Sequence, residues 1–345
     1  MHIPDGYLSP ATAVLAYGVA LPFWYQASKR VKETLRSQAA PLVPVFAALS
    51  FTVQMFNIPV PWGTTAHAVG GTLMAVVLGP WAAVVGVSSA LIIQALFFGD
   101  GGITAIGANS FNMGIALPLV GYAVYKLLAG RSPSHRRRIV AATIASYVGI
   151  NVAGLLTALW LGIQPIFWTE YGRALYSPYG LETTVPAMAL VHLTIAGFAE
   201  AAFTGLSLAY ILRTHPTLLE GLEHSSQVAG QGLGRAGWGL AGLLLAMVVL
   251  TPLGLLAPGV AEFEWGAGEV EVMVGYLPAG LQQMGGLWGL TPLGEYQLPG
   301  AVGDSVMRQA PGYILSAVVG IGLLFVLALG ARVALGRRDA ASRGG

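Results

Sequence analysis

Nine apolar stretches decide what this chain can become. They fall at residues 8–27, 41–56, 66–78, 81–98, 111–128, 139–161, 186–212, 237–257 and 312–335. A helix needs roughly 20 apolar residues to cross the hydrocarbon core of a bilayer. The stretches are continuous rather than alternating, which disfavours the strands of a membrane barrel and leaves helices as the structure that satisfies every backbone group in lipid. Only 9% of the 345 residues are charged and 55% are hydrophobic, far from the composition of soluble domains. The expected fold class is all-α, a polytopic transmembrane helical bundle of about nine spans, seven in a first unit and two in a tail. The third and fourth stretches are the weakest spans, since Gly79 and Pro80 alone separate them and the third is short.

Basic residues orient the bundle. Lys29, Arg30, Lys32 and Arg36 follow the first stretch directly, and placing them in the cytoplasm puts fifteen of the seventeen Lys and Arg residues on that side, with Arg173 and Arg308 opposite. This asymmetry follows the positive-inside rule. The amino terminus is then expected outside and the carboxyl terminus in the cytoplasm of a bacterial or archaeal cell membrane. A cleaved signal peptide is the rival, but the first stretch lacks a basic leader, carries Asp5 instead, and has its positive charges after the apolar run.

Composition also limits chemistry. The chain has no cysteine, so thiolate metal sites and disulfides are excluded and any metal must be held by nitrogen or oxygen. It contains no His-Glu-x-x-His, no nucleophile elbow and no Walker sequence, so no constellation for catalysis is found and neither a resident cofactor nor a nucleic-acid partner is expected. Energy for transport, if needed, would come from elsewhere.

The first two residues carry the sharpest signal. With His at position 2, the free terminal amine of Met1 and the amide and imidazole of His2 can close two fused chelate rings around one transition metal. His is too bulky for the usual trimming of an initiator Met, so Met1 is expected to remain. His2 by itself is a weak signal, because many chains carry His there by chance. His67 lies at the outer end of the third stretch and would add a fourth nitrogen, although alone it reads more readily as an interfacial polar residue. A planar four-nitrogen set suits Ni(II), Co(II) or Cu(II) and gives little to oxygen-seeking Mg(II).

Neighbouring residues have plainer roles. Ile3-Pro4-Asp5-Gly6 suits a tight turn that folds the chain end back, with Asp5 a turn former before it is a ligand. The glycine-rich loop 99–110 lacks the Lys and Ser/Thr of a phosphate cradle, and its glycines suit backbone passing close over a small buried site. Asn109 and Ser110 either cap the next helix or orient a ligand imidazole as second-shell groups, capping being the simpler role. Eight residues separate His192 from Glu200, which places them within about 80° on one helical face. His192 is a second candidate to support the metal; Glu200 is open to a proton site, a partner contact or, preferred here, a structural hydrogen bond. Thr12, Ala16 and Ala20 would allow close helix packing. His135, His215 and His224 sit in polar stretches and are read as solvated.

Three motifs together carry a family resemblance. Met-His-Ile-Pro-Asp-Gly-Tyr-Leu-Ser-Pro at 1–10, Thr-Ala-His-Ala-Val-Gly-Gly-Thr around His67, and Phe-Gly-Asp-Gly-Gly-Ile-Thr-Ala-Ile-Gly-Ala-Asn-Ser-Phe-Asn-Met-Gly at 98–114 resemble the CbiM/NikM family over about the first 213 residues. The resemblance implies a substrate-capture subunit of an energy-coupling factor transporter for Co2+ or Ni2+, with Met1, His2 and His67 as ligands. It also implies partners, namely a transmembrane coupling subunit and cytoplasmic ATPase subunits. The chain then divides into a capture unit at 1–213, a cytoplasmic linker at 214–236, and a two-span unit at 237–345 similar to the CbiN/NikN accessory component. Gly275-Tyr-Leu-Pro-Ala-Gly-Leu281 resembles that component's Pro-Asp-Gly-Leu-Glu pattern, but Ala279 and Gln282 stand where it has acids, which argues against metal handling by this stretch.

The outer part of the tail carries Glu262, Glu264, Glu269, Glu271, Glu295 and Asp304 against Arg308, enough either to gather cations or simply to be a solvated surface. Two other readings compete with capture. One is a self-sufficient secondary transporter using Glu200 as its proton relay. The other is a membrane metalloenzyme, disfavoured because a filled square plane leaves no in-plane position for substrate. For capture, release is expected to need His67 pulled away from the chain end, or protonation of the ligands.

Overall fold

The structure is a computed structural model that describes residues 1–36, 40–60, 64–214, 234–256, 264–299 and 305–343. Ser9 begins the first helix by accepting the Thr12 N–H at 3.1 Å, and Pro10 occupies the first helical position, where its missing N–H costs nothing. That helix, α1 (Pro10–Arg36), runs farther than its apolar stretch, so Lys29, Arg30, Lys32 and Arg36 lie on its last turns rather than in a loop. The expected Thr12, Ala16 and Ala20 face is buried, and a side chain at Gly107 would come within 2.6 Å of the Tyr17 backbone, so the small residues serve packing inside the chain.

Helix α2 (Leu42–Gln54) is buried along its whole length and α3 (Gly71–Leu78) follows the His67 loop. At about 1.5 Å per residue α3 spans only about 12 Å, too little to cross a bilayer alone. The expected third span is thus corrected to a short helix entered by an extended segment. Gly79, at φ 88°, turns the chain into α4 (Pro80–Ile93), which continues as a π turn, Gln94–Phe98. Next come α5 (Ile106–Asn109), a π segment (Ser110–Ala116), α6 (Leu117–Ala129), α7 (His135–Gly162) and the short α8 (Gln164–Phe167). Helix α9 (Leu181–Val191), a π turn (His192–Ala196) and α10 (Gly197–Thr214) form one continuous rod. The tail contributes α11 (Gly234–Leu250), α12 (Ala267–Val274), α13 (Ala279–Met284) and α14 (Val306–Arg343).

Among the described residues, six helical rods are long and apolar enough to cross a membrane: 80–98, 106–129, 135–167, 181–214, 239–256 and 306–335. Among the described residues the only strands are two small antiparallel pairs, β1 (Ile58–Pro59) with β2 (Thr65–Ala66) and β3 (Thr169–Glu170) with β4 (Arg173–Ala174). Outward faces carry exposed Leu15, Leu127, Leu155, Phe198, Leu206, Leu245 and Val326, as lipid-facing helices require.

The two units pack together. Helix α2 is predominantly apolar and is buried all round. Its exposed side is closed by α11 and α14 of the tail, where Gly320 lies directly against the Phe51 ring. Phe51, Phe98 and Tyr296 continue this contact, with Phe98 and Tyr296 stacked at 5.1 Å between centroids. His215, His224, Glu262 and Asp304, and most of the linker, lie outside the described residues.

Candidate metal site

Residues 1–4 run extended into a turn at Asp5 and Gly6, and the whole arm is buried. Backbone this deep must find partners. Asn109 supplies two: its Oδ1 accepts the Ile3 N–H at 2.8 Å and its Nδ2 donates to the Ile3 carbonyl at 3.1 Å. The same carbonyl accepts the Gly102 N–H at 2.8 Å. Asn109 therefore pairs with the arm like a strand neighbour, and the expected helix cap is replaced by this role. Ser110, beside it, is buried with no partner for its Oγ.

Asp5 does more than form a turn. Its carboxylate accepts the N–H groups of Ile103 at 3.0 Å and Thr104 at 2.8 Å and the Thr104 hydroxyl at 2.5 Å, fastening the glycine-rich loop to the arm. Gly101 takes φ 82°, and a side chain on Gly102 would run into the backbone of Pro4 and Asp5. The glycines are there because two backbones touch.

His67 follows β2. Its Nδ1 lies 3.2 Å from the Ala68 carbonyl, which leaves Nε2 buried and without a partner. The His2 ring stands 5.0 Å away, centroid to centroid, inclined at 44°, and its Nε2 is likewise buried and unpartnered. His2 Nδ1 lies 3.4 Å from Asp100 Oδ1, and the other Asp100 oxygen accepts the Tyr296 hydroxyl at 2.6 Å. Burial pushes the His2 imidazole down to about 3, with the neighbouring ammonium adding to the effect, so the ring is neutral. Burial raises Asp100 above its ordinary value against the opposing Tyr296 hydrogen bond.

The Met1 amine completes the cluster. It donates to the Thr65 carbonyl at 3.0 Å, the Thr65 hydroxyl at 3.3 Å and Glu264 Oε1 at 2.9 Å. Burial works to raise the Glu264 carboxyl, but the ammonium and hydrogen bonds from Thr64 and Thr65 outweigh it and hold the group well below the usual carboxylate range. His192 Nε2 touches Met1 Sδ at 3.0 Å while its Nδ1 meets the Met188 carbonyl at 2.8 Å, and Gly154 leaves room for the ring. Met1, His2, His67 and His192 are thus gathered at one point, with Asn109 one step behind them.

Glu200 is elsewhere. Its carboxylate accepts the backbone N–H groups of Val69 at 2.6 Å and Gly70 at 2.9 Å. Among the described residues, no three His, Cys, Asp or Glu side chains are arranged as a metal cluster. Three imidazoles, those of His2, His67 and His192, lie near the chain end, and the His192 ring is engaged by Met1 Sδ and the Met188 carbonyl.

Three residues of the tail escaped the sequence reading. Glu264 was one acid among six and is instead the counter-ion of the amine. Tyr296 reaches Asp100, and Gly280 packs backbone to backbone on Gly6, where a side chain on Gly6 would come within 2.7 Å of the Gly280 carbonyl. The Gly275–Leu281 stretch therefore contributes packing. Asp100 was visible inside the Gly-Asp-Gly-Gly motif, but its pairing with His2 required the fold.

An apolar helical bundle with this buried imidazole and amine cluster defines a membrane protein of metal uptake. Residues 2–218 match the family model described as the cobalt uptake substrate-specific transmembrane region, and the chain belongs to that CbiM family. It is a CbiM/NikM capture unit fused to a NikN-like tail: it is 44% identical to the fused nickel transport protein NikMN of Rhodobacter capsulatus over 94% of this chain and 95% of that one. A probable fused nickel transport protein, LarMN of Lactiplantibacillus plantarum, is 40% identical over 95% of this chain and 96% of its own length. A crystal structure of a transition metal transporter, 45% identical, matches 67% of this chain and all of its own with a TM-score of 0.60.

Proposed function

We propose that this protein captures Co2+ or Ni2+ through the Met1 amine, the His2 amide and imidazole, and the His67 imidazole, as the substrate-specific subunit of an energy-coupling factor importer. The single observation that carries this reading is the buried, unpartnered Nε2 of His67, whose ring stands 5.0 Å from that of His2, the residue next to the buried amine. Unsatisfied polar atoms in a packed interior are costly unless a ligand satisfies them. The Met1 end faces outside, as the basic residues require, and a transmembrane coupling subunit with cytoplasmic ATPases drives release inward. The capture unit is 1–213 and the accessory unit 237–345.

The donor set has a charge consequence. Loading removes one proton from the ammonium and one from the His2 amide and adds one divalent cation, so the pocket keeps its net charge. Glu264 and Asp100 then face the same total charge before and after capture. An oxygen-seeking divalent ion that leaves the amide protonated would add charge to a buried pocket, a cost that disfavours it.

The rival reading of Glu200 as a proton relay loses support from its bonds to Val69 and Gly70, which give the carboxylate a holding role. Nickel and cobalt binding to purified His67→Ala tests the proposal: affinity should fall by at least about a hundredfold, the upper end of what losing an outer-shell partner of a ligand costs. Unchanged affinity would remove His67 from the site.

A further inference from the structure

His67 sits in a loop, and a loop residue holds its ring still only if the backbone on both sides is fixed. Before it, β2 pairs with β1 in register, Ala66 opposite Ile58. After it, the chain is fixed by groups from the bundle. The Ser50 hydroxyl donates to the Val69 carbonyl at 2.7 Å, and Glu200 accepts the N–H groups of Val69 and Gly70. The carboxylate faces the amino end of α3, where unpaired N–H groups and the helix dipole favour a negative charge. Gly70, at φ 74°, turns tightly against the ring of Phe203, which would come within 2.8 Å of a side chain placed there. Phe203 and Glu200 belong to the same helix, so α10 grips the end of the His67 loop at two adjacent points.

The same rod also reaches the other half of the donor set. Eight residues before Glu200, His192 touches the Met1 side chain, and between them lies the π turn His192–Ala196. Such turns hold one extra residue in a helix and mark places where register can change. A single rod therefore touches both metal-bearing segments, one on either side of an irregular turn.

We propose that Glu200 is the positioning residue of His67: it fixes the imidazole against the chain end, and the α9–α10 rod carries movement of the bundle to that ligand. The proposal rests on the reading of His67 as a ligand. It places Glu200 at the control of release, with no contact to the metal.

A double-variant cycle on the full chain with Ni2+ tests it, reading affinity and the visible absorption band. Glu200→Ala should weaken binding at least about tenfold and move the band toward that of His67→Ala, while Glu200→Gln, keeping one acceptor oxygen, should lose less. In the His67→Ala background, Glu200→Ala should add less than about twofold, because the group it positions is gone. Glu200→Ala binding like the parent while His67→Ala binds weakly would overturn the proposal alone, as would losses that multiply in the double variant. Should Glu200→Ala fail to fold, the same comparison with Glu200→Gln decides. A His67→Ala variant that binds like the parent would overturn both this proposal and the ligand reading.

Discussion

The chain-end arm and the His67 loop approach one another at the same point and share Glu264 and the α9–α10 rod as neighbours, but most of their anchors differ. The arm is fastened by α5, by the glycine-rich loop and by the tail: Asn109, Gly102 and the Asp5 clamp on one side, Glu264 and the Gly6–Gly280 contact on the other. His67 is fastened by Ser50 on α2 and Glu200 on α10, both within helices. The difference teaches that a donor set split between two bodies can be tight when they meet and can be opened by moving one of them, without unfolding either.

The comparison is most easily broken at the arm. Gly102→Val places a branched side chain in the backbone of Pro4 and Asp5 and should abolish high-affinity nickel binding, by about a thousandfold or more, since the chelating end is expelled as a unit. Equilibrium dialysis reads this, and retention of affinity would separate the arm from the site. Asn109→Ala leaves the Ile3 N–H and carbonyl without their side-chain partner. A loss of about 2–4 kcal/mol in the folded arm is expected, seen as weaker binding and a lower melting temperature.

Acid sharpens the contrast. The His2 pKa lies below its unfolded value, so the folded arm binds fewer protons than the unfolded one and its stability is present above about pH 6.5 and lost as pH falls toward the folded value. Glu264, also depressed, acts in the same direction lower in the range. Thermal unfolding measured between pH 7 and pH 4 should show the arm loosening first, and a melting temperature independent of pH would contradict the burial of a neutral His2. The smallest effect is expected at the tail. Glu264→Gln should raise labelling of the Met1 amine by an acylating reagent about tenfold in the metal-free protein, since an ion pair to a buried partner is removed, while Glu269→Gln on the exposed face of α12 should leave it unchanged.

The sequence made the bundle legible because continuous apolar runs leave a chain few options, and it made the ligand candidates legible because an amine, an amide and an imidazole at one chain end are a chelator by connectivity. It misjudged α3, where hydropathy records the burial of Ala66 to Gly70 as if it were part of the span. It ended α1 too early, because basic residues on a helix end look the same in sequence as a basic loop. Asn109 and Asp5 looked like capping and turn residues, since their local preferences are for those roles; their bonds to Ile3 and to Thr104 join parts of the chain that only the fold brings together. Glu264 was hidden for the same reason, being 263 residues from the amine it neutralises.

The central claim is that the Met1 amine itself grips the cation, and the most direct measurement compares metal bound by the chain starting at Met1 with one carrying a single Ala ahead of Met1. After exposure to equal nickel and cobalt, mass spectrometry of the purified proteins should find close to one metal per chain in the first and little in the second, because the extension turns the coordinating amine into an amide and displaces it from Thr65 and Glu264. Equal loading of the two proteins would contradict the account.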